Sequence, residues 1–127
     1  MKKFFLFAIV LAFITVIGCG SGFVPTGGKV TFDDGSPVPF GSVAFETDAF
    51  MAEGSIKPDG SYTLTSLRPG DGLPPGTYRV GIGATEMDEN DRPIYHVDLK
   101  FANPATSGLT ATVSRRNNRF DFIVTRP

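Results

Sequence analysis

Few residues of this chain could do chemistry, and the most distinctive is the single cysteine, Cys19. A lone cysteine cannot close an intramolecular disulfide, so the fold must be held together by packing and hydrogen bonds. Cys19 follows an apolar run that extends from Phe4 to Ile17, with only Gly18 between them. This position predicts that Cys19 is a modification site next to a membrane rather than a structural thiol.

The first 18 residues have the organisation of an export signal. Met1-Lys2-Lys3 is a positively charged start, and the apolar run that follows contains one polar residue, Thr15. As a helix rising ~1.5 Å per residue, the run would span roughly 21 Å, which is less than the ~30 Å hydrocarbon core of a bilayer. A cleaved signal peptide is therefore favoured over a permanent transmembrane helix.

The segment Val16-Ile17-Gly18-Cys19 resembles the lipobox of bacterial lipoprotein signal peptides, where a small residue precedes the acceptor cysteine. The resemblance implies cleavage between Gly18 and Cys19, a diacylglyceryl thioether on Cys19, and acylation of its new amino group. Two or more acyl chains hold a protein stably at a membrane. An ordinary secretory leader with an incidental cysteine is the alternative.

The only histidine, His96, offers little basis for catalysis. General acid–base or nucleophilic catalysis would need it beside a nucleophile and an orienting carboxylate. The chain contains serines and aspartates but no nucleophile-elbow context, so we expect His96 to be a polar loop residue. We predict a protein that is not an enzyme and holds no cofactor, and we identify no small-molecule substrate.

An acidic segment, Thr85–Asp98, carries five acidic residues against Arg92 alone. Within it Asp88, Asn90 and Asp91 are weak candidates for a calcium site, because Ca²⁺ takes six to eight oxygen ligands. Their spacing does not match an EF-hand loop, since a proline stands where the glycine turn belongs. We therefore expect a solvated acidic loop without a metal.

The net charge of the whole chain is −1, and the part after the leader is more acidic because the leader contains Lys2 and Lys3. This balance excludes a typical nucleic-acid binder. Four arginines are nevertheless concentrated near the C-terminus: Arg115, Arg116, Arg119 and Arg126. They would suit anionic lipid headgroups or polysaccharide, although an exposed charged hairpin explains them equally well.

Exposed aromatic residues are a further class of candidate, because carbohydrate binding usually relies on aromatic platforms. The chain has no tryptophan, and Tyr62 and Tyr78 are predicted to point inward from their strands, which leaves Tyr95, Phe50 and Phe101 as candidates in loops. Large apolar residues in loops can equally fasten those loops to the core.

The elements that must position these residues are strands. After residue 28, apolar and polar residues alternate, which is typical of strands with one buried face. Seven such segments occur, around residues 29–32, 42–46, 52–57, 61–65, 77–83, 109–114 and 120–124. A short hairpin is predicted at Pro58-Asp59-Gly60, and the proline- and glycine-rich Leu67–Gly76 is predicted to be irregular. The pattern predicts an all-β domain, a seven-stranded antiparallel β-sandwich of immunoglobulin or transthyretin type, with a small barrel as the alternative.

We therefore divide the chain into three parts. Residues 1–18 are expected to be the lipoprotein signal peptide, residues 19–28 the lipidated cysteine and a flexible tether, and residues 29–127 the β-sandwich domain. The tether assignment depends on its small, uncharged composition, GSGFVPTGG after the cysteine.

Several segments resemble the carboxypeptidase regulatory-like domain, namely Gly28–Thr31, Asp34–Pro39, Gly41–Phe45 and Pro58–Leu64. Two others, Pro75–Val80 and Thr106–Ala111, are similar to small planctomycete-type lipoproteins of this class. The likeness covers roughly Gly27 to Thr125 and implies a transthyretin-like sandwich with no catalytic residue. The hydroxyisourate hydrolases of related fold are not matched, because they share several active-site histidines and this chain has one.

Together these features predict a membrane-anchored lipoprotein of the bacterial cell envelope whose domain is a non-catalytic binding or structural module. Its partners would be the membrane, through the lipid anchor, and an envelope protein or polysaccharide, contacted through Leu67–Gly76 or Thr85–Phe101. The alternatives are a calcium-stabilised adhesion module and an envelope enzyme or enzyme inhibitor.

Overall fold

The structure, a computed structural model, describes residues 22–127. The predicted signal peptide, its cleavage position and Cys19 lie outside the described residues. In the described part the fold is all-β, as the alternation predicts, apart from one turn of 3-10 helix at Leu99–Phe101. None of the helical structure within residues 22–127 is long and apolar enough to cross a membrane.

The described part contains nine strands. They are β1 (Gly27–Phe32), β2 (Ser42–Glu46), β3 (Met51–Ser55), β4 (Ser61–Thr63), β5 (Gly76–Gly83), β6 (Thr85–Met87), β7 (Pro93–Tyr95), β8 (Leu109–Val113) and β9 (Phe122–Val124). Seven of them coincide with the predicted segments. The other two, β6 and β7, form an antiparallel hairpin where a loop was expected.

The strands form a four-stranded sheet in the order β3-β2-β5-β8, a three-stranded sheet in the order β4-β1-β9, and the two-stranded β6-β7 hairpin. All pairs are antiparallel except β1 and β9, which run parallel with Val30 beside Phe122. The arrangement thus differs from the predicted seven antiparallel strands in strand number and in this pair. The additional strands are those of the β6-β7 hairpin. The parallel pair arises because β8 and β9 lie in different sheets, so the chain crosses between the sheets after β8 and enters β9 in the direction of β1.

One hydrophobic core includes side chains from both larger sheets. Phe45 of β2 is fully buried, and its ring centroid lies 6.4 Å from that of Tyr62 and 6.1 Å from that of Phe122, both in the three-stranded sheet. Burying one such side chain stabilises the fold by about 1.5–3 kcal/mol. The predicted inward positions of Tyr62 and Tyr78 are confirmed, since both are buried.

The ordered β-structure begins before residue 29. Val24 is buried and exchanges two backbone hydrogen bonds with Leu73, of 2.8 and 3.2 Å. Thr26 is also buried, and β1 begins at Gly27. Residues 24–28, predicted to be part of the flexible tether, therefore belong to the β-domain.

Strand directions sort the connections into two ends of the domain. The end where the chain enters β1, which we call the tether end, holds the connections 47–50, 67–75 and 114–118. This follows from three pairings: Gly27 with Thr63, Glu46 with Met51, and Gly76 with Val113. The opposite end, which we call the far end, holds the turn at 33–36 and the β6-β7 hairpin.

Candidate functional site

A cleft of about 440 Å³ lies at the far end and gathers residues that are distant in sequence. Tyr95 and His96, at the end of β7, line it together with Arg126, Ser36 and Phe32. We call this the hairpin cleft. It brings Tyr95, His96 and Arg126, which the sequence presents as separate candidates, to one surface.

His96 is held in the hairpin cleft by contacts on two sides. Its Nε2 lies 2.7 Å from Oε1 of Glu86, across the hairpin, and its ring stands edge-on to Phe40 with centroids 5.1 Å apart. Among residues 22–127, no hydroxyl group hydrogen-bonds to this imidazole. The hydroxyl of Ser36, which also lines the cleft, donates instead to Oδ1 of Asp34 at 2.6 Å. His96 is thus a positioned polar group without a paired nucleophile.

Arg126 joins the C-terminal segment to the turn after β1. Its guanidinium lies 3.8 Å from the ring centroid of Phe32, and Nη1 lies 3.2 Å from Oδ2 of Asp34. Hydrogen bonds from the Ser36 hydroxyl and N–H, with a smaller contribution from Arg126, lower the pKa of Asp34 to about 2. The turn therefore presents an ionised carboxylate that is already engaged, with the exposed edge of Arg126 facing the cleft.

The hairpin cleft combines groups that bind rather than react. The exposed Tyr95 ring can stack on an apolar sugar face, while an arginine and a histidine provide hydrogen-bond donors for hydroxyl or carboxylate oxygens. Tyr95 is also the one aromatic candidate that stays exposed. Phe101 is buried, and Phe50 packs against the core and against Phe23 with ring centroids 5.8 Å apart. Phe50 and Phe101 thus fasten their loops to the core and are not platforms for a ligand.

The acidic segment is a structured turn at the tip of the β6-β7 hairpin. Oδ1 of Asp88 accepts the backbone N–H groups of Asn90 and Arg92, at 2.8 and 2.9 Å. Asp91 adopts a left-handed conformation, with φ of 59°. Within residues 22–127, no three histidine, cysteine, aspartate or glutamate side chains come together in a geometry that would hold a metal ion. The Asp88 carboxylate therefore has a local structural role, closing the turn.

The four C-terminal arginines do not form one patch. Arg119 is paired with Asp121 at 3.3 Å, and Arg126 lies at the far end in the hairpin cleft. Arg115 and Arg116 lie in the turn after β8, at the tether end, and are exposed. Strand direction, which the local sequence does not show, separates the two groups.

Sequence reasoning missed the role of Asp71 in the irregular loop 67–75. Its Oδ1 accepts the N–H of Ser66 at 2.9 Å, and its Oδ2 accepts the N–H groups of Arg68 and Leu67 at 3.0 and 3.2 Å. Desolvation raises the pKa of Asp71, but these hydrogen bonds outweigh it and the net pKa lies below the ordinary value. An aspartate within a proline- and glycine-rich stretch was the available signal.

No protein-family model matches the chain, and no curated protein matches it significantly. Among solved structures, it is similar to the major pilin subunit of Bacillus cereus, with a TM-score of 0.50 and 11% sequence identity over 82% of this chain. The match spans only 30% of the pilin chain. At this identity the similarity shows the fold alone, an all-β domain that also occurs within a larger pilin subunit.

Proposed function

We propose that this chain is a lipoprotein of the bacterial cell envelope, exported and anchored to a membrane by lipid on Cys19, whose domain is a non-catalytic structural or binding module. The observation that carries the proposal is the position of the single cysteine. Cys19 directly follows the apolar leader and Gly18, and lies five residues before Val24, which is hydrogen-bonded to Leu73 of the β-domain. A single domain placed this close to a lipid anchor is a module presented at a membrane surface.

The proposal of a non-catalytic domain is supported by the contacts of three ionisable side chains at the far end, each of which is engaged by neighbouring groups of the fold. His96 is engaged with Glu86, Asp34 with Ser36 and Arg126, and Asp88 with its own turn. These contacts maintain the fold of connections at the far end. The likeness to part of a pilin subunit supports a structural role, and the segments resembling the carboxypeptidase regulatory-like domain support an immunoglobulin- or transthyretin-like sandwich.

The hairpin cleft is the contact region that we propose for an envelope protein or polysaccharide. It lies at the far end, opposite the residues that lead back to Cys19, so it is accessible when the other end is tethered. Its exposed aromatic ring and hydrogen-bond donors fit a polymer rich in hydroxyl or carboxylate groups.

The anchoring is tested by comparing wild type with Cys19→Ala in cells supplied with radiolabelled fatty acid. We expect the wild type to carry label and to fractionate with membranes, and the variant to lose both because it lacks the acceptor sulfur. Ser21→Ala, a small-residue change two positions later, is the matched control and should behave like wild type. A Cys19→Ala protein that still carries the label and stays in the membrane fraction would contradict the proposal.

A further inference from the structure

The chain leaves little distance between the proposed anchor and the folded domain. Four residues lead from Cys19 to Phe23, and a fully extended chain of this length spans at most about 14 Å. Phe23 packs against Phe50, and Val24 is hydrogen-bonded to Leu73, so both are fixed on the domain. If Cys19 carries lipid, as proposed above, the tether end lies within roughly that distance of the membrane surface.

Two large apolar side chains are exposed at this tether end. Leu67 is 78% exposed and Met51 is 54% exposed. The antiparallel bridge between Glu53 and Thr65 brings these two residues to the same end of the molecule. A cavity of about 410 Å³ beside Leu67 is bordered by Phe23 and Pro25, which lie four and six residues after Cys19. Grouped exposed apolar side chains are typical of a contact surface.

The same end carries basic side chains without ionic partners. Arg68, Arg115 and Arg116 are exposed and make no ion pair within residues 22–127. The carboxylates of this end are already engaged, since Asp48 pairs with Arg79 at 3.0 Å and Asp71 accepts three backbone N–H groups.

Acidic residues are concentrated at the far end instead. Those of the turn after β1 and of the β6-β7 hairpin are Asp33, Asp34, Glu86, Asp88, Glu89 and Asp91. These six acidic residues outnumber the basic Lys57, Arg92, Lys100 and Arg126 of the same end, so the domain is electrically polarised along its strands, with the more basic end next to the proposed anchor. An anionic membrane surface attracts basic groups within about a Debye length, ~8 Å in physiological salt.

We infer that the tether end is a membrane-docking surface formed by Met51, Leu67, Arg68, Arg115 and Arg116. Leu67 and Met51 enter the headgroup region, and the three arginines contact anionic phospholipid headgroups. The loop 67–75 suits this contact, because the hydrogen bonds that Asp71 accepts hold Leu67 and Arg68 at the outer surface of the loop. Docking would fix the orientation of the domain, so that the hairpin cleft faces away from the membrane.

The test uses the full lipidated protein, reconstituted into vesicles of phosphatidylethanolamine and phosphatidylglycerol with no other protein present. An environment-sensitive fluorophore is attached in Leu67→Cys, and nitroxide lipids are the quenchers. Ile123→Cys is the matched control: Ile123 is also apolar and 66% exposed, but it lies on β9 beside Thr31, well away from the tether end. We expect a blue shift and strong quenching for the probe at 67, and neither for the probe at 123.

The electrostatic contribution is tested with Arg115→Glu/Arg116→Glu, and with Arg92→Glu/Lys100→Glu as the matched double reversal at the far end. Each basic residue near an anionic surface contributes about 1 kcal/mol of attraction. In Arg115→Glu/Arg116→Glu, the ratio of docked to undocked protein should therefore fall by about fivefold for each arginine lost. The far-end reversal should leave the ratio unchanged or raise it. Equal effects of the two double variants would contradict the docking surface.

The two proposals fail in distinguishable ways. If the protein carries lipid and floats with the vesicles but its probe at position 67 is quenched no more than the probe at 123, the docking surface is wrong and the anchor stands. That outcome would leave the tether end free for another protein. If the protein carries no lipid and does not float with the vesicles, the anchor itself is wrong, and the docking surface fails with it.

Discussion

At the scale of single residues, two buried tyrosines fasten irregular segments to the sheets. The hydroxyl of Tyr62 donates to the carbonyl of Phe120 at 2.6 Å, and that of Tyr78 donates to the carbonyl of Pro74 at 2.7 Å. Both carbonyls lie outside the strands, so a side chain replaces the missing strand partner. Burial raises the pKa of both phenols, and the nearby Asp121 carboxylate raises that of Tyr62 further.

Tyr62→Phe should destabilise the domain by about 1–2 kcal/mol, because the Phe120 carbonyl loses its donor without a change in packing. Urea unfolding measures the effect, and Tyr95→Phe, at an exposed position, should change stability by less than ~0.5 kcal/mol. Equal effects of the two changes would refute this account of Tyr62.

The raised pKa of Tyr62 also gives an alkaline signature. Above the ordinary pKa of 10.0 the phenol ionises first in the unfolded chain, so stability should fall as the pH rises further. The fall should be shallower in Tyr62→Phe.

The lowered pKa of Asp34 predicts how the stability of the domain changes at acidic pH. Its pKa of about 2 in the folded state lies below the ordinary 3.8, so the unfolded chain takes up the proton first as the pH falls. The contribution of Asp34 to stability is therefore present above about pH 4 and lost as the pH falls towards 2. Asp34→Asn should flatten this part of the profile, measured as thermal midpoints across acidic buffers, whereas the exposed Asp33→Asn should leave it as in wild type.

At the scale of elements, the close packing of β1 against the segment before β9 joins the N-terminal and C-terminal segments of the domain. The Lys29 N–H donates to Oδ1 of Asp121 at 2.9 Å. Gly28 precedes it, and a Cβ at Gly28 would lie 1.9 Å from the carbonyl oxygen of Phe120. No side chain fits there unless the two segments separate.

Gly28→Ala should consequently destabilise the domain by about 1–3 kcal/mol, the usual cost of overpacking a rigid site. Gly83→Ala is the matched control, because its new Cβ would meet only the Ala102 Cβ at 4.0 Å. It should be neutral or stabilise by less than ~1 kcal/mol, through lower entropy of the unfolded chain. Urea unfolding of both variants checks the pair, and the prediction fails if Gly28→Ala is the milder change.

At the scale of the whole molecule, the two proposed roles, anchoring and recognition, fall at opposite ends of the domain. The tether end carries the chain towards Cys19, and the β6-β7 hairpin at the other end contributes Tyr95 and His96 to the hairpin cleft. Every residue of β6 and β7 is exposed, so this hairpin adds little to the core. We therefore expect the sequence of the hairpin to tolerate change without loss of the fold.

Replacing residues 86–95 by a Gly/Ser linker should therefore remove envelope partners from crosslinked, affinity-purified samples while the thermal midpoint changes little. Lys57→Ala, an exposed change at the same end, is the control and should retain the partners. Recovery of the same partners by the linker variant would show that the hairpin cleft is not the contact region.

The sequence by itself determined the all-β class and the positions of seven strands. In β1, the buried Val30 and Phe32 alternate with exposed or half-buried residues such as Lys29. This pattern depends only on neighbouring residues, because successive side chains of a strand point to opposite faces. The same local rule missed β6 and β7, since a hairpin with both faces in water leaves no apolar period to detect.

Only the tertiary structure decided which strands pair and which distant side chains share a surface. The predicted hairpin at Pro58-Asp59-Gly60 is a turn that carries the chain from β3 in one sheet to β4 in the other, and β9 joins β1 in parallel. Which strands meet depends on burying both sheet faces in one core, a condition that no single segment expresses. For the same reason, Arg126 and His96 line one cleft at the far end while Arg115 lies at the tether end. Composition and spacing encode which side chains a strand buries, and only the packed sheets determine which distant side chains share a surface.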